Sequence, residues 1–403
     1  MKMNESSPEA AMSYESVHSA SLISSCRPAE LEAVEDGRFT ARVATSVDDV
    51  ERLRSVWSSW THCLDHDIDY YVYRARNDST DLRPYVISVY GEGVPQALLV
   101  GQVRKYRMSA ILADVRIPGP EAEVLEIARG GRLGCQSSDI DKVLMSVLSK
   151  AIQNGDADVL CFERLPFHSE LFHSVRKGLK ARVSEVLSCS VLSLAAPAGD
   201  PPSTFSGKTK RELKRKTRIL QNAFPGAVRF KCFSRPDELK IGIADAAKVV
   251  DATWQYCSGY QCLNSPQTRA EAEFFGKNGW LRIFVLYVGD LPCAFLVGQF
   301  YRGTFYCQHV GYDQTYAQFS VGSLLTAWAF EEMAAAGVRQ VDLGEGGQEH
   351  FRRMGGEASA EGTVHVYSHT LPGIRAKVFF ALMEALRAGA RHTRSAFSIR
   401  TAA

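Results

Sequence analysis

Residues 281–313 read LRIFVLYVGDLPCAFLVGQFYRGTFYCQHVGYD, and this run decides the fold. Two glycine turns, at Gly289 and Gly303, divide it into three pieces rich in β-branched and aromatic residues. Such a pattern predicts three successive antiparallel strands. A strand-rich segment of this length between helical segments is typical of an α/β fold with a mixed, mostly antiparallel sheet.

Helical and strand patterns flank this run on both sides. The predicted helix at 321–336 has Leu324, Leu325 and Trp328 on one face, and Gly337 ends it because glycine tolerates the left-handed backbone. The other predicted elements of this half are a basic helix at 208–223, a strand at 228–233, a helix at 238–256, and strands at 338–343 and 362–368.

The first half of the chain predicts a similar order of elements. A strand over FTARVATS, a helix after Ser46, a hairpin from Pro84, a helix at 139–154 and a strand at 157–165 follow one another. We find no obvious residue-by-residue repeat between the halves. The predicted segments are a disordered tail at 1–36, an N-terminal domain at 37–192, a linker at 193–205 containing Pro201 and Pro202, a C-terminal domain at 206–370, and an amphipathic helix and tail at 371–403.

Composition sets limits on the class of protein. The 403 residues are 45% hydrophobic and 23% charged with a net charge of +2, which indicates a globular chain that does not condense on nucleic acid. Ten cysteines lack paired spacing, so we expect free thiols in a reducing cytoplasm and no metal site. No apolar run reaches the ~18–20 residues of a membrane span and no signal peptide is recognised, so we expect a cytoplasmic protein.

Three segments carry a resemblance to a known family. They are YDQTYAQFSVGSLL at 312–325, VDLGEGGQEHFR at 341–352, and the basic run at 208–218. Together they resemble the GNAT-superfamily acyltransferases, and more closely the CelD/BcsL-type proteins associated with cellulose and exopolysaccharide biosynthesis. FemABX-type transferases share the tandem layout. The motifs cover mainly residues 205–370.

The resemblance implies two tandem GNAT-like domains, of which the N-terminal one is degenerate. It also implies transfer of an acyl group from acyl-CoA, such as acetyl-CoA, to an amine or hydroxyl of a sugar or polysaccharide precursor. The chain departs from the family pattern at Val321, at Phe351, which replaces a tyrosine, and at Arg352, which replaces a lysine. Phe351 therefore cannot act as an acid. The alternatives are aminoacyl transfer from tRNA, as in FemABX-type proteins, and a non-catalytic scaffold role.

A glycine bend at the start of the 321–336 helix is the candidate donor site. Backbone amides at a helix N-terminus and the positive end of the helix dipole bind phosphate groups. The cofactor-binding candidates are Gln318, Val321, Gly322, Ser323 and Leu324. The alternative is an ordinary corner capped by Ser320 and Gly322.

Acyl transfer requires a base, and three residues are candidates. His309 is the first because histidine titrates near neutral pH, with Asp313 close behind it and Glu345 as the rival base. Strand alternation predicts that Gln308 and Val310 share one face. The alternative for His309 is a structural hydrogen bond. The alternative for Glu345 and Asp342 is a structural role, in which their carboxylates accept hydrogen bonds from backbone amides of the glycine-rich loop. We favour this alternative for Asp342.

Seven lysines and arginines lie within residues 208–218, against the single acid Glu212. Such a run predicts either an anionic partner or a solvated helix face. The anion-binding candidates are Lys210, Arg211, Lys214, Arg215 and, outside the run, Arg352. Aromatic residues do not interleave with the basic ones, so nucleic acid is not expected.

Two further segments allow two interpretations each. Residues 129–134, RGGRLG, fit an anion loop, but a plain glycine turn is favoured. The final helix carries an apolar side that we expect to pack on the core, with peripheral membrane contact as the alternative. That side consists of Ile374, Val378, Phe379, Leu382 and Leu386.

Overall fold

The computed structural model describes residues 33–36, 38–78, 82–112, 115–179, 181–194, 205, 207–251, 263, 265–345 and 356–400. At a few of these positions it describes the backbone alone. Most of the predicted linker at 193–205 and of the predicted disordered tail at 1–36 lies outside the described residues, but residues 33–36 of that tail form a strand.

Thirteen strands are described. They are β1 Ala33–Asp36, β2 Phe39–Ala44, β3 Arg83–Gly91, β4 Val94–Leu112, β5 Val115–Gly134, β6 Val159–Pro166, β7 Arg182–Ser193, β8 Val228–Phe233, β9 Leu281–Val288, β10 Leu291–Tyr301, β11 Thr304–Tyr312, β12 Gln340–Glu345 and β13 Glu357–Tyr367.

Ten α-helices are described together with two short 3₁₀ helices at Leu64–His66 and Gln314–Phe319. The α-helices are α1 Val47–Arg52, α2 Arg54–Trp60, α3 Ile68–Asn77, α4 Ser138–Asn154, α5 Glu170–Gly178, α6 Gly207–Ala223, α7 Pro236–Asp251, α8 Pro266–Lys277, α9 Val321–Ala335 and α10 Leu371–Arg400.

The described chain forms two compact units, and the predicted α/β fold with two mixed sheets is confirmed. Unit 1 contains the chain up to Leu187 and from Ala360 onward, and unit 2 contains Ser188–Ser359. These limits differ from the predicted domains because β13 pairs with β6 in unit 1. The end of β7 pairs with β12 in unit 2.

The sheet of unit 1 has the order β1-β2-β3-β4-β5-β6-β13. Its neighbours are antiparallel except for β5 and β6, which are parallel and are connected by α4. One core includes α4 and α5, with Leu144 and Phe172 buried against strand residues such as Ile127. A second core on the other side holds Trp57 of α2.

The sheet of unit 2 has the order β7-β12-β11-β10-β9-β8, where β7 is represented by residues 188–193. Here β11 and β12 are the parallel pair, and α9 connects them. Helix α9 is apolar almost all round and lies in the core, with Val321, Leu325 and Phe330 buried. Helix α7 packs against β9 and β10 with α8 beside it.

Most predicted elements of unit 2 have the expected bounds, while unit 1 contains more than the sequence indicated. The strand at 228–233 and the three strands of 281–313 are confirmed. In unit 1 the predicted hairpin from Pro84 corresponds to β3 and the first part of β4, but β4 and β5 continue through residues for which no element is predicted. The helices α3 and α5 were also missed.

The expected packing side of the final helix is wrong. Ala376 and Met383 of α10 are buried, and Phe380 packs beside His365. In contrast, much of the predicted apolar side is exposed: Ile374, Val378, Leu382 and Leu386, together with Leu371. The small side chain of Ala376 allows the helix to approach the sheet closely, and the periodicity could not indicate which of two apolar stripes would do so. Among the described residues, no helix is both long and apolar enough to cross a membrane.

Candidate donor and acceptor site in unit 2

The parallel strands of unit 2 pair only over a short segment. Their register runs from Thr304 opposite Gln340 to Tyr306 opposite Asp342. Beyond this point β11 continues to Tyr312 while pairing only with β10 among the described residues. The strands therefore separate at their carboxyl ends. Such a crevice, at the carboxyl ends of parallel strands, is the usual ligand position in α/β sheets.

The first turn of α9, which follows β11, has three backbone amides without an acceptor among the described residues. Two belong to the half-buried Gly322 and Ser323, and the third belongs to Val321, which is 0% exposed. Ser320 precedes the helix in the left-handed conformation, with φ 56° and ψ 39°, and its side chain makes no capping hydrogen bond. Its carbonyl accepts from the amide of Leu324 at 3.1 Å. Within the described residues, no acceptor is found for the amides of Val321, Gly322 and Ser323. No acid lies in this turn, so it is suited to an anion.

The five predicted cofactor-binding residues differ in their exposure and in whether their backbone amides are available. Gln318 is exposed on the 3₁₀ helix before the bend. The side chains of Val321 and Leu324 are buried in the core. A Cβ at Gly322 would lie 3.1 Å from Cδ1 of Tyr312, so the glycine also serves close packing. Leu324 therefore contributes only packing, because its amide already donates to Ser320. The amides of residues 321–323 have no acceptor among the described residues.

A β-bulge determines where Gln308 and His309 lie. Val297 of β10 pairs with His309, and the next residue, Gly298, pairs with Cys307, so Gln308 is the extra residue. Val310 packs into the core beneath α9, whereas Gln308 lines a cleft on the α7 and α8 side of the sheet. The expected shared face of Gln308 and Val310 is therefore wrong, because the bulge interrupts the alternation.

The side chain of Gln308 is held by a buried neighbour. Nε2 of Gln299 donates to Oε1 of Gln308 at 2.6 Å, and Gln299 is only 4% exposed. This contact occupies the carbonyl oxygen of Gln308 and leaves its NH₂ group as a donor at the cleft wall.

Burial determines the protonation of the neighbouring groups on β11. It lowers the pKa of His309 to about 4, so the imidazole is neutral at physiological pH. The expectation that His309 titrates near neutral pH is therefore wrong, although a neutral imidazole can still accept a proton. Burial, with a smaller contribution from Asp342, raises the pKa of Cys307 to about 12. Cys307 remains a thiol and is not an activated nucleophile.

The carboxylates named by the sequence act on the backbone where they are described. Asp313 accepts from the amide and the hydroxyl of Thr315, both at 2.8 Å, and so caps the 3₁₀ helix. Asp342 is buried and accepts from the amide of Gly344 at 2.9 Å, which confirms its expected loop-pinning role. The side chain of Glu345, and Phe351 and Arg352 entirely, lie outside the described residues.

The cleft next to the bulge is shallow and encloses only about 20 Å³, room for about one water molecule. Its walls come from α7, α8 and strands β9–β11, with Leu281, Val297 and Phe275 forming apolar surface. Three polar residues also line it: Thr268, Glu271 and Gln308. Apolar residues with a few polar groups are the common lining of a small-molecule site, but at this volume a ligand of more than a few atoms would lie over the cleft and not inside it. Glu271 and Thr268 were not predicted, since their segment showed only a helical pattern.

The basic helix α6 runs antiparallel to α9. Phe205, just before α6, stacks on Phe330 at 6.4 Å, while Phe224, just after it, contacts Tyr316 and Phe319 before the start of α9. Of the four predicted anion-binding residues on α6, all are exposed: Lys210, Arg211, Lys214 and Arg215. At 1.5 Å per residue, Lys210 lies roughly 20 Å along the helix from Phe224. Lys210 and Arg211 are therefore remote from the α9 first turn, whereas Lys214 and Arg215 lie roughly 14–15 Å from Phe224 along the helix.

The corresponding corner of unit 1 is closed to anions. The hydroxyl of Ser137 accepts from the amide of Asp139 at 3.3 Å, and Asp139 and Asp141 lie in the first turn of α4. In the glycine-rich segment before it, Arg129 pairs with Glu361 at 2.9 Å, and Arg132 pairs with Asp141. Both arginines are thus neutralised within the unit, which counts against an anion loop. The favoured glycine turn is not found either, because residues 129–134 belong to strand β5.

Comparison with known proteins points to the same region. Residues 207–353, about a third of the chain and all within unit 2, match the family model Acetyltransf_6, described as an acetyltransferase (GNAT) domain. Unit 2 therefore contains a GNAT-type acetyltransferase domain, which supports acyl transfer in general. No curated protein sequence matches the chain.

Solved structures are similar in fold at low sequence identity. FemX is 9% identical, with 79% of this chain and 96% of that chain covered and a TM-score of 0.53. A tandem GNAT protein from the clavulanic acid biosynthesis pathway is 10% identical, with coverage of 82% and 99% and a TM-score of 0.44. The C-terminal domain of a putative lysylphosphatidylglycerol synthetase from Agrobacterium fabrum is 12% identical, with coverage of 84% and 97% and a TM-score of 0.48.

Sequence reasoning overlooked a short internal repeat. Residues 99–102 and 296–299 both read LVGQ, in β4 and β10 respectively. In each unit the glycine lies at an irregularity of the strand pairing, and the glutamine donates to a side chain on the neighbouring strand. The repeat could have identified Gln299 and its partner Gln308.

Proposed function

We propose that unit 2 transfers an acyl group from acyl-CoA to an amine or hydroxyl acceptor. The observation that supports this most strongly is the first turn of α9, where three amides lack acceptors beside the separated strands β11 and β12. A pyrophosphate group fits this turn because it is anionic and accepts several hydrogen bonds. The donor assignment also rests on the match to an acetyltransferase family over residues 207–353.

The acceptor is proposed to bind over the shallow cleft lined by Glu271, Thr268 and Gln308. An amine or hydroxyl there would face the strand that carries the bulge. The family resemblance suggests a sugar or polysaccharide precursor in exopolysaccharide or cell-envelope biosynthesis. Polar side chains on an apolar wall suit such a molecule, since sugars combine hydroxyl groups with apolar ring faces.

The proposed reaction is direct attack in a ternary complex. The acceptor nitrogen or oxygen bonds to the thioester carbonyl carbon, the carbon–sulfur bond breaks, and the CoA thiol leaves. The acceptor loses one proton, and neutral His309 is the proposed base, with Glu345 as the rival. The NH₂ group of Gln308 would hold the acceptor or the developing oxyanion. The raised pKa of Cys307 disfavours an acyl-cysteine intermediate.

The exposed basic face of α6 is proposed to bind a separate anionic partner. Arg215 is paired with Glu212 at 2.7 Å, whereas Lys214 and Arg218 are exposed with no ion pair among the described residues. Because Lys210 and Arg211 are remote from the α9 first turn, the donor pyrophosphate is not their partner. An acidic glycan fits this face, and Arg352 remains a proposed addition to it.

A ligand screen on the full chain tests the proposed donor. Acetyl-CoA, longer acyl-CoA thioesters and charged tRNA would be compared by thermal shift, since a ligand of the folded form raises the melting temperature. We expect stabilisation by CoA thioesters and release of free CoA when a suitable amine or hydroxyl acceptor is added. Stabilisation by charged tRNA alone would favour aminoacyl transfer, and no stabilisation by either would favour a scaffold role.

A further inference from the structure

Three potential metal ligands lie together in unit 1, outside the site described above. His62, Cys63 and His66 belong to the sequence HCLDH between α2 and α3. Their ligand atoms all lie within 4.8 Å of one another. Imidazole nitrogen and thiolate sulfur are the ligands that zinc prefers in proteins.

His66 provides independent evidence for a ligand. Its side chain is 0% exposed, and within the described residues neither Nδ1 nor Nε2 makes a hydrogen bond of standard geometry, although the ring has a weaker contact with the backbone of Arg129. Buried polar atoms in native proteins almost always have a partner. The ring lies against β5, since a Cβ at Gly130 would be 3.5 Å from its Cε1. A group bound from the side of Cys63 would supply the missing partner.

The loop that carries the three residues is braced by its other atoms. The carbonyl of His66 accepts from Nε1 of Trp57 at 2.7 Å and from Oγ1 of Thr61 at 3.0 Å. These bonds fix the backbone without using the imidazole or the thiol. A site that is held by surrounding hydrogen bonds is preorganised for its ligand.

The geometry requires only a small closure. Tetrahedral zinc, with bonds of about 2.0–2.3 Å, separates its ligand atoms by about 3.3–3.8 Å. The separations of up to 4.8 Å must shorten by roughly 1 Å, which rotamer changes of the exposed His62 and the half-buried Cys63 can together supply. Since His62 is exposed and Cys63 half-buried, the ion has an entry path from solvent.

We propose that His62, Cys63 and His66 bind one zinc ion and leave its fourth position to water. Three protein ligands with one open position are an established zinc arrangement. The earlier expectation of no metal site considered only paired cysteines. A search for paired cysteines does not detect His62, Cys63 and His66, because only one of the three is a cysteine.

Metal titration of the full chain tests this proposal. The reduced protein is stripped with a chelator, mixed with Zn²⁺ or with Co²⁺ as a spectroscopic probe, and desalted. We expect about one zinc per chain, a higher melting temperature, and a cobalt absorption band from the thiolate ligand. His62→Ala and Cys63→Ser should each weaken zinc binding at least tenfold, while Cys135→Ser and His168→Ala, two exposed positions of the same unit, should not.

Two results would overturn the zinc site. One is a native chain that retains no stoichiometric zinc after desalting under reducing conditions. The other is zinc binding that is equal in the native chain, in His62→Ala and in Cys63→Ser, since the ion would then lie elsewhere. His66 is left unchanged because replacing a fully buried side chain could prevent folding.

Discussion

Units 1 and 2 build the same strand–helix–strand corner, yet the first turns of the two helices differ. In α4 the side chain of Ser137 caps the amide of Asp139, and two acids occupy the turn. In α9 the N-cap residue Ser320 has a left-handed backbone, and its side chain makes no capping hydrogen bond. The first turn of α9 contains no acidic residue. A shared backbone plan therefore gives one helix end that neutralises itself and one that is open to an anion.

The crevices next to these two helices also differ in whether their charged groups are paired within the unit. In unit 1, Glu361 of β13 joins Arg129 of β5 to Arg164 of β6, at 2.9 and 3.1 Å. In unit 2, the residues that follow the paired segment on β11 are Cys307, Gln308 and His309, all uncharged at neutral pH. We infer that unit 1 uses its crevice for internal ion pairs, which fits a degenerate role, and that unit 2 keeps its crevice for ligands.

The largest expected effect comes from the glycines of the two LVGQ segments. A Cβ at Gly298 would lie 2.2 Å from the Tyr306 carbonyl oxygen, so Gly298→Ala should destabilise the chain by about 3 kcal/mol. Gly101→Ala meets the Tyr85 carbonyl oxygen at 2.9 Å and should cost about 1–2 kcal/mol. Urea unfolding followed by circular dichroism measures both.

The control for these glycines is Gly207→Ala, where no atom lies within 4 Å of the added methyl group. It should leave stability unchanged or raise it, because alanine favours the helix. Equal stability of Gly298→Ala and Gly207→Ala would refute the close approach at the bulge.

The next effect concerns the donor turn. Ser323→Asp places a carboxylate beside the free amides of α9 and should weaken acyl-CoA binding about 100-fold by like-charge repulsion. Stability should not fall, since an acid at a helix N-terminus is favourable by about 0.3–1 kcal/mol. Calorimetry of acetyl-CoA binding checks this. The matched variant Ser138→Asp, in the first turn of α4, should bind as the native chain does, and equal loss in both would count against the assignment.

Replacing the held glutamine should have a smaller effect. Gln308→Ala removes the donor at the cleft wall and should lower kcat/KM by up to about tenfold, the value of one hydrogen bond. Its counterpart is Gln102→Ala, which removes the hydrogen bond to Glu126 in unit 1 and should lower stability without changing turnover. Steady-state kinetics on both variants provides the test, and unchanged kinetics in Gln308→Ala would remove that residue from the site.

The smallest effect is a pH dependence at His309. Its folded pKa of about 4 lies below the ordinary value of 6.5, so below pH 6.5 the unfolded chain binds a proton that the folded chain does not. Because the unfolded chain gains this proton first, the free energy of unfolding is highest above pH 6.5 and decreases as the pH falls towards 4. Urea unfolding at pH 7.5 and pH 5 should show less loss for His309→Gln than for the native chain. A His309 proton resonance that titrates near pH 6.5 would contradict the burial.

The sequence predicted the fold of unit 2 well because local signals agree there. Glycine turns at Gly289 and Gly303 separate three β-rich runs, and both glycines adopt positive φ. Unit 1 was less predictable, since β4 and β5 extend through residues with polar and apolar side chains in no regular order. The pairing of β13 with β6 joins residues 195–208 positions apart, such as Glu361 with Pro166 and Tyr367 with Val159, and no local pattern encodes it.

The candidate site could be predicted only at positions where the residue type itself indicates how the backbone will be hydrogen-bonded. Gly322 and Ser323 indicated the open helix end, and Asp342 indicated its loop-pinning bond. The bulge at Gln308 was hidden, because one extra residue in a strand leaves no compositional trace. The depressed pKa of His309 depends on packing from several elements, which alternation alone cannot supply.

Hydrogen–deuterium exchange of the full chain with and without acetyl-CoA tests the central claim most directly. The account predicts that CoA slows exchange of the amides at 321–323 and leaves those of the α4 first turn, at 138–140, unchanged. Unchanged exchange at both turns under saturating CoA, or protection of the α4 turn alone, would contradict it.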